Sequence, residues 1–359
     1  MSKGKVVVGM SGGVDSSAAA FLLKEEGYDV IGVTMQIWQE ENPQDAAENG
    51  GCCGLSAVED ARRVADVIGI PHYVMNFRKD FKEMVIDYFT AEYLAGRTPN
   101  PCIACNRYVK WESLLRKSLD LGADYIATGH YATVEKLANG RLTLKKALSV
   151  KDQTYALYNL TQDQLAHTLM PLGIYAGKDD IRKIAEEAGL PVAHKPDSQD
   201  ICFVPDGDYG RFITEYTGRP DEPGHFVDKN GNVLGTHKGI THYTIGQRKH
   251  LGLALGRPVF VSRICPETNE IVLADNDELF RSTLLAEQVN FMAVEDIAGP
   301  VRVTAKIRYS HKGAPAIIER KEDGRVLCTF DEPQRAPTPG QAVVFYQEDH
   351  ILGGGVIVC

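Results

Sequence analysis

At 359 residues, 43% hydrophobic and 24% charged, the chain is sized for two or three domains and composed like an ordinary globular protein. No apolar run approaches the ~20 residues that span a bilayer, and the opening MSKGKVVVG lacks the apolar core of a secretory signal, so a cytoplasmic protein with no membrane partner is expected. The net charge of −9 argues against a nucleic-acid partner, yet residues 97–117 carry five Lys/Arg against one acid and residues 301–325 seven against three. Phosphate affinity follows such patches rather than totals.

In chain order, KVVVGM reads as a strand, the Gly/Ser stretch SGGVDSS as a turn, and AAAFLLKEEGY as a helix with apolar Ala18, Phe21 and Leu22. DVIGVTM is the next strand, followed by a polar insertion, QEENPQDAAENGG. SAVEDARRVADVIGI then reads as a helix with Ser56 as N-cap and Glu59 three residues on, a capping box. PHYVMNF is a strand, FKEMVIDYFTAEYLAG and WESLLRKSLDLGA are helices, and DYIATGH is a further strand. Alternating β and α segments predict a doubly wound parallel sheet with helices on both faces. Ligands of such sheets bind beyond the carboxyl ends of the strands, which aligns Ser11–Ser16, Met35 and Gly129-His130 along one rim. After about residue 208 the texture becomes β: FVDKNGNVLGTHKG carries a hairpin signature, and from about residue 278 β-branched and polar residues alternate between turns. The expected layout is a catalytic α/β domain over 1–207, a small β-rich domain over 208–276 and a C-terminal β-barrel over 277–359.

Strand, Gly/Ser turn and helix in this order build an anion site: glycines admit an oxyanion to the backbone, and the helix N-terminus aims unpaired N–H groups at it. A Walker A loop requires Gly-Lys-Ser/Thr, and no such lysine is present; a dinucleotide loop requires G-x-G-x-x-G, and only Gly12 and Gly13 follow Met10. The string instead resembles the pyrophosphate loop of the ATP pyrophosphatases, S-G-G-x-D-S directly after the first strand. That resemblance implies cleavage of ATP between its α and β phosphates and adenylation of an oxygen on a second substrate. Ser11, Ser16 and Ser17 offer hydroxyls, Gly12 and Gly13 open the backbone, and Asp15 either holds Mg²⁺ or fixes the turn.

The cysteines narrow the acceptor. TPNPCIACNRYVKW places Cys102 and Cys105 in a Pro-flanked loop leading into a basic helix, and Cys202 lies in KPDSQDICFVPDG. With SGGVDSS, ATGHYA, KDQTYALY, TIGQRKHLGL and AKIRYS, these strings resemble the tRNA-specific 2-thiouridylases over essentially the whole chain. The resemblance implies an ATP-dependent transferase that adenylates O2 of the wobble uridine of tRNA and replaces it with sulfur. Cys202 matches the persulfide-bearing cysteine and Cys105 the second nucleophile, which either strips the terminal sulfur from the persulfide or resolves it, leaving a Cys105–Cys202 disulfide. ATP contacts map to Gly9, Met10, Ser11, Gly12, Gly13, Val14, Asp15, Ser16, Met35 and Gly129, with Mg²⁺ accompanying the nucleotide. The target base, flipped from its stack, is expected at Asn100, Pro101 and Cys102, and further tRNA contacts at Lys151, Asp152, Gln153, Arg308 and Tyr309. The implied partners are the anticodon region of tRNA and a persulfide donor such as a cysteine desulfurase or a sulfur-relay protein.

One departure stands out: Cys102 occupies a position where family members often carry aspartate. Cys102, Cys105 and Cys202 would supply three thiolates, enough for a [4Fe–4S] cluster with one open iron, so cluster-based thiolation is an alternative to the persulfide relay. Zinc on Cys52-Cys53 with Cys102-x-x-Cys105 is a third, poorly spaced arrangement, and Cys52-Cys53 carries no assigned role. Against all enzymatic readings stands an ATP-dependent tRNA-binding protein without catalysis. Cys265, Cys328 and Cys359 sit singly in β-like surroundings and read as incidental.

Overall fold

The computed structural model describes residues 2–37, 55–196 and 201–358, so Cys52, Cys53 and Cys359 lie outside the described residues. The chain divides into two compact units. One comprises Met1–Ile86, Cys102–Pro205 and Asp349–Leu352; the other comprises Asp87–Pro101, Asp206–Glu348 and Gly353–Cys359. Among the described residues no helix is long and apolar enough to cross a membrane.

The first unit is built on a five-stranded sheet. Its strands are β1 (Lys5–Gly9), β2 (Asp29–Gln36), β3 (His72–Asn76), β4 (Tyr125–Ala127) and, after an inserted hairpin of β5 (Ala132–Lys136) and β6 (Leu142–Lys146), β7 (Thr168–Leu169). The order is β3-β2-β1-β4-β7 and every pairing is parallel, as the alternation of elements predicted. Val6, Val7 and Val8 are all buried, the sign of a strand covered on both faces. Helix α1 (Val14–Glu25) lies against it through Ala18, Ala19 and Ala20, and α2 (Leu55–Ile68) joins through Ala61, Val64 and Ala65. Small residues at these positions bring the helices close to the sheet. Strand order reverses at β1, whose neighbours β2 and β4 lead away in opposite directions, so the loops after β1 and β4 meet at the topological switch point where such sheets bind ligands.

Several local expectations need correction. Ser56 is not an N-cap, because α2 already includes Leu55. Met35 does not follow β2 but is its penultimate residue, paired with Met75. Cys102 and Cys105 are not in a loop: Pro101–Ala104 is helical and continues in π-helical bonding over Cys105–Leu114. Proline suits a first helical turn, where its missing N–H costs nothing. The hairpin β5–β6 was not anticipated; it turns near Asn139-Gly140, where Gly140 has φ +85°, and Lys145 of β6 pairs with His350.

Two further β structures follow along the chain. β8 (Gly224–Val227), β9 (Val233–His237), β10 (Phe260–Cys265) and β11 (Glu270–Ala274) form a sheet in the order β10-β11-β8-β9. The β8–β9 turn is the predicted hairpin: the Asp228 carboxylate accepts from the N–H groups of Asn230 and Asn232, and Gly231 takes φ +84°. β12 (Phe280–Phe291), β13 (Val301–Lys306), β14 (Ala314–Arg320), β15 (Val326–Arg335), β16 (Ala342–Gln347) and β17 (His350–Ile357) follow one another in the order β12-β15-β14-β13-β16-β17, and β12 also pairs with β17. The last domain is therefore a closed six-stranded barrel, as expected. Cys328 is wholly buried in it, and burial pushes its thiol up to about 12, far from a reactive thiolate.

Candidate active site

The Gly/Ser stretch leaves β1 and enters α1, and its own atoms hold it. Ser11 N–H donates to Ser16 Oγ at 3.1 Å, and the two hydroxyls stand 3.3 Å apart. Ser16 and Ser17 hydroxyls both donate to the Gly13 carbonyl, at 3.2 and 2.9 Å. Ser17 is fully buried, so its hydroxyl serves the helix start and not a ligand. Ser11 is exposed and remains accessible. Gly12 is required twice over: its φ is +69°, and a Cβ there would collide with the Ala57 carbonyl. Gly129 brings the loop after β4 onto the same spot, because its Cβ would lie 2.6 Å from Ser16 N. Gly9, Met10, Ser11, Gly12, Gly13, Val14, Asp15, Ser16 and Gly129 are thus gathered at the switch point; Met10 and Val14 are buried beneath the loop and line no open surface.

The cations that the motif lacks come from far along the chain. Lys178, at the start of α3 (Lys178–Glu187), places Nζ 2.7 Å from Asp15 Oδ2 with its side chain only 10% exposed. Tyr131 OH donates to Asp15 Oδ1 at 2.8 Å. Lys195 donates to the Gly12 carbonyl at 3.1 Å and to Asp60 Oδ2 at 2.7 Å. Burial works to raise the Asp60 carboxyl, but the hydrogen bonds from Lys195 and Arg63 outweigh it and hold the group below the usual range. Sequence reasoning missed Lys178 and Asp60, which carry no local motif, and also Tyr131 and Lys195, which lie within ATGHYA and KPDSQDICFVPDG but were assigned no role there. Asp15 already engages a cation and a hydroxyl, which fits its turn-fixing role. Among the described residues no three His, Cys, Asp or Glu side chains converge to hold a metal ion. Cys102, Cys105 and Cys202 are accordingly not gathered into such a group among the described residues.

Near the helical cysteines, Asn106 is buried, donates to the Ala156 carbonyl at 2.9 Å, and accepts from Lys110 Nζ at 2.8 Å. Cys102 is exposed, while Cys105 and Cys202 are half-buried. His130 bonds Thr128 Oγ1 at 2.7 Å, and its ring lies 5.6 Å from that of Trp111. Burial, assisted by Lys110, holds its pKa well below the ordinary value, so the imidazole is neutral.

Of the segment expected to touch tRNA, two side chains turn inward. Asp152 accepts from Thr154 Oγ1 at 2.8 Å and from Ala147 N–H at 3.2 Å. Gln153 exchanges two bonds with Tyr131: its Oε1 accepts from Tyr131 N–H at 3.0 Å, and its own N–H donates to the Tyr131 carbonyl at 2.9 Å. Lys151 is half-buried. Asn100, Pro101, Arg308 and Tyr309 belong to the second unit. There the Thr98 N–H donates to the Pro339 carbonyl and Gln341 Nε2 to the Thr98 carbonyl, each at 2.9 Å, fixing the strap that ends at Asn100 and Pro101. Arg308 donates to the Arg335 carbonyl at 2.7 Å, and Tyr309 is exposed beneath Lys306.

Comparison with known proteins matches this architecture. Residues 4–206 match the family described as tRNA methyl transferase HUP domain, 210–275 its PRC-barrel domain, and 281–357 the aminomethyltransferase beta-barrel domain. The chain is 65% identical over 355 residues to the tRNA-specific 2-thiouridylase MnmA of Lachnoclostridium phytofermentans, covering 99% of both chains. The chain belongs to the tRNA-specific 2-thiouridylase family. Other members are the MnmA proteins of Clostridium perfringens, 59% identical with 99% of both chains covered, and of Acetivibrio thermocellus, 58% identical with 99% of this chain and all of the relative covered. The resemblance drawn from the loop and cysteine strings is therefore correct at the level of the family. A solved U34-tRNA thiolase from Methanococcus maripaludis with its [4Fe–4S] cluster is 18% identical over 61% of this chain and 66% of its own, with a TM-score of 0.33; a likeness that slight decides nothing about a cluster.

Proposed function

We propose that this chain is an ATP-dependent tRNA-uridine 2-sulfurtransferase acting at the wobble position, organised as a catalytic domain over 1–207, a β-rich domain over 208–276 and a barrel over 277–359. The observation that carries the reading is the loop Gly9–Ser16 at the switch point, with Lys178 and Lys195 bonded to it, in a member of the 2-thiouridylase family. ATP binds with its pyrophosphate end on Ser11, Gly12 and Gly13 and the start of α1, and with Met35 and Gly129 along the same rim. Mg²⁺ bound with the nucleotide would supply charge neutralisation at the phosphates.

The chemistry follows from the poor leaving ability of a carbonyl oxygen. Uridine O2 attacks the α-phosphorus of ATP, pyrophosphate departs, and C2 then carries AMP as a leaving group. The terminal sulfur of a persulfide on Cys202 attacks C2 and AMP leaves with the O2 oxygen. Cys105 thiolate attacks Sγ of Cys202, breaking the S–S bond, so that the outer sulfur stays on C2 as a thiocarbonyl and a Cys105–Cys202 disulfide forms. A thiol reductant and a persulfide donor restore the enzyme. Asn100, Pro101 and Cys102 hold the flipped base; Lys151, Asp152, Gln153, Arg308 and Tyr309 contact the tRNA, Asp152 and Gln153 through the shape of their turn.

The test is nucleotide turnover. Incubation with unmodified tRNA and ATP releases AMP and pyrophosphate in equal amounts, with release dependent on tRNA. Binding of tRNA and ATP without pyrophosphate release would instead favour the non-catalytic binding protein.

A further inference from the structure

From Lys229 to Pro266 the chain runs thirty-eight residues without one carboxylate, although 48 acids among 359 residues would place about five there. The same stretch carries six Lys/Arg. Lys229 pairs with Glu278 and Arg257 with Asp275. Lys238, Arg248, Lys249 and Arg263 are exposed and make no ion pair or side-chain hydrogen bond among the described residues. In a chain of net charge −9, an acid-free run with four uncompensated cations calls for a reason.

The fold supplies a shape for it. The segment between Tyr243 and β10 is anchored at both ends in the apolar core, Leu251 and Val259 being buried with Phe226, Tyr243 and Ile271. Gln247 fixes the approach: its Oε1 accepts from Thr244 N–H and its Nε2 donates to the Lys249 carbonyl, both at 3.0 Å. Gly235 leaves room for Leu253, which a Cβ would meet at 2.5 Å. Between these anchors Gly252 and Gly256 turn the chain at φ +71° and +70°, and no atom crowds either Cα. The result is an open groove of about 620 Å³ lined by Arg248, His250 and Arg257, with bare glycine backbone between them.

A groove with Arg248 unpaired at its rim, Arg257 held by Asp275 beside it, an apolar floor, open peptide groups and no carboxylate among its lining residues suits a polyanion that approaches as a ribbon. We infer that the 248–257 segment of the β-rich domain is a phosphodiester-binding surface that grips the backbone of the tRNA substrate, apart from the residues that handle the target base. Contacts of this kind fix position and supply affinity without reading sequence. The inference rests on the tRNA reading given above.

The test is the salt dependence of tRNA binding, measured by fluorescence anisotropy of unmodified tRNA between 50 and 300 mM KCl (concentrations on the order of the range over which counterion release is read). The full-length chain is compared with Arg248→Ala/Lys249→Ala and with a control, Lys79→Ala/Lys183→Ala, which removes two exposed helix lysines. Removing two phosphate contacts should lower the log–log slope by roughly 1.5 to 2 and weaken binding several-fold at the lowest salt, while the control and the melting temperature stay unchanged. An unchanged slope in the Arg248/Lys249 variant, or an equal fall in the control, overturns the inference while leaving tRNA binding itself intact. Failure of the unaltered chain to bind tRNA overturns the functional reading and this inference together.

Discussion

Lys178 Nζ stands 2.7 Å from Asp15 Oδ2, joining the first turn of α1 to the first turn of α3 across 163 residues of sequence. The pair is partly sheltered, with Asp15 30% and Lys178 10% exposed. Because Lys178 supplies the cation, Asp15 holds one orientation as the phosphate loop meets its ligand. Lys178→Met should therefore destabilise the chain by about 1–3 kcal/mol, since it strands a half-buried carboxylate. It should also lower ATP turnover at least about tenfold, the equivalent of ~1.4 kcal/mol. Lys178→Arg should recover part of both. Thermal melting and AMP release measured on the same preparations check this; a Met variant with full turnover would show that the pair is ornamental.

Gly12 and Gly129 leave no room for a side chain. Gly12→Ala adds a strained φ costing ~1–2 kcal/mol to a collision with the Ala57 carbonyl, and Gly129→Ala drives a methyl to 2.6 Å from Ser16 N. Both variants should lose ATP binding, with Gly12→Ala the less stable. Isothermal titration with ATP, beside a folding control by circular dichroism, reads the two effects separately.

Gln153 acts through Tyr131. Its Oε1 holds the Tyr131 N–H at 3.0 Å, and the Tyr131 hydroxyl holds Asp15 at 2.8 Å. Gln153→Leu and Tyr131→Phe should each raise the Kd for ATP several-fold even when tRNA is absent, the loss of one hydrogen bond being worth about 1 kcal/mol. A change in tRNA affinity alone would place Gln153 only at the RNA.

Acid should destabilise the chain. Burial lowers the pKa of His130, His72, His237 and His311, with a nearby Lys110 adding to it for His130 and Arg62 for His72. Below the unfolded value of about 6.5 the unfolded chain binds protons that the folded chain refuses. The stability associated with these groups is thus complete above that pH and declines as pH falls toward the folded values. Urea midpoints should drop between pH 7.5 and pH 5.5 (a window about one unit either side of the free imidazole value), and His130→Gln should shrink the drop. A midpoint that rises on acidification contradicts the assignment.

The reading of the sequence succeeded where chemistry is local. SGGVDSS announced the loop, the alternation of strand and helix announced the parallel sheet, and Asn230-Gly231-Asn232 announced the hairpin. It failed where the decisive neighbour is distant. Lys178 and Lys195 look like ordinary helix and loop lysines until the fold sets them on Asp15 and the Gly12 carbonyl. Ser17 looked like a ligand donor, but burial commits its hydroxyl to Gly13. Pro101 suggested a loop because proline breaks helices internally, whereas at a first turn it starts one. The hairpin β5–β6 went unseen because its strands interrupt the expected β/α rhythm.

The measurement that bears most directly on sulfur transfer is 2-thiouridine formation on unmodified tRNA with ATP, Mg²⁺ and a persulfide donor, under anaerobic conditions, read by mass spectrometry of the nucleosides. The unaltered chain should form the product, Cys105→Ser and Cys202→Ser should lose it by about 100-fold or more, on the order of removing a catalytic nucleophile, and Cys102→Ser and Cys328→Ala should retain it. Loss in Cys102→Ser as well would move the chemistry toward a three-cysteine site. Product retained in Cys105→Ser or Cys202→Ser, or none from the unaltered chain on intact tRNA with an active donor, would contradict the persulfide relay.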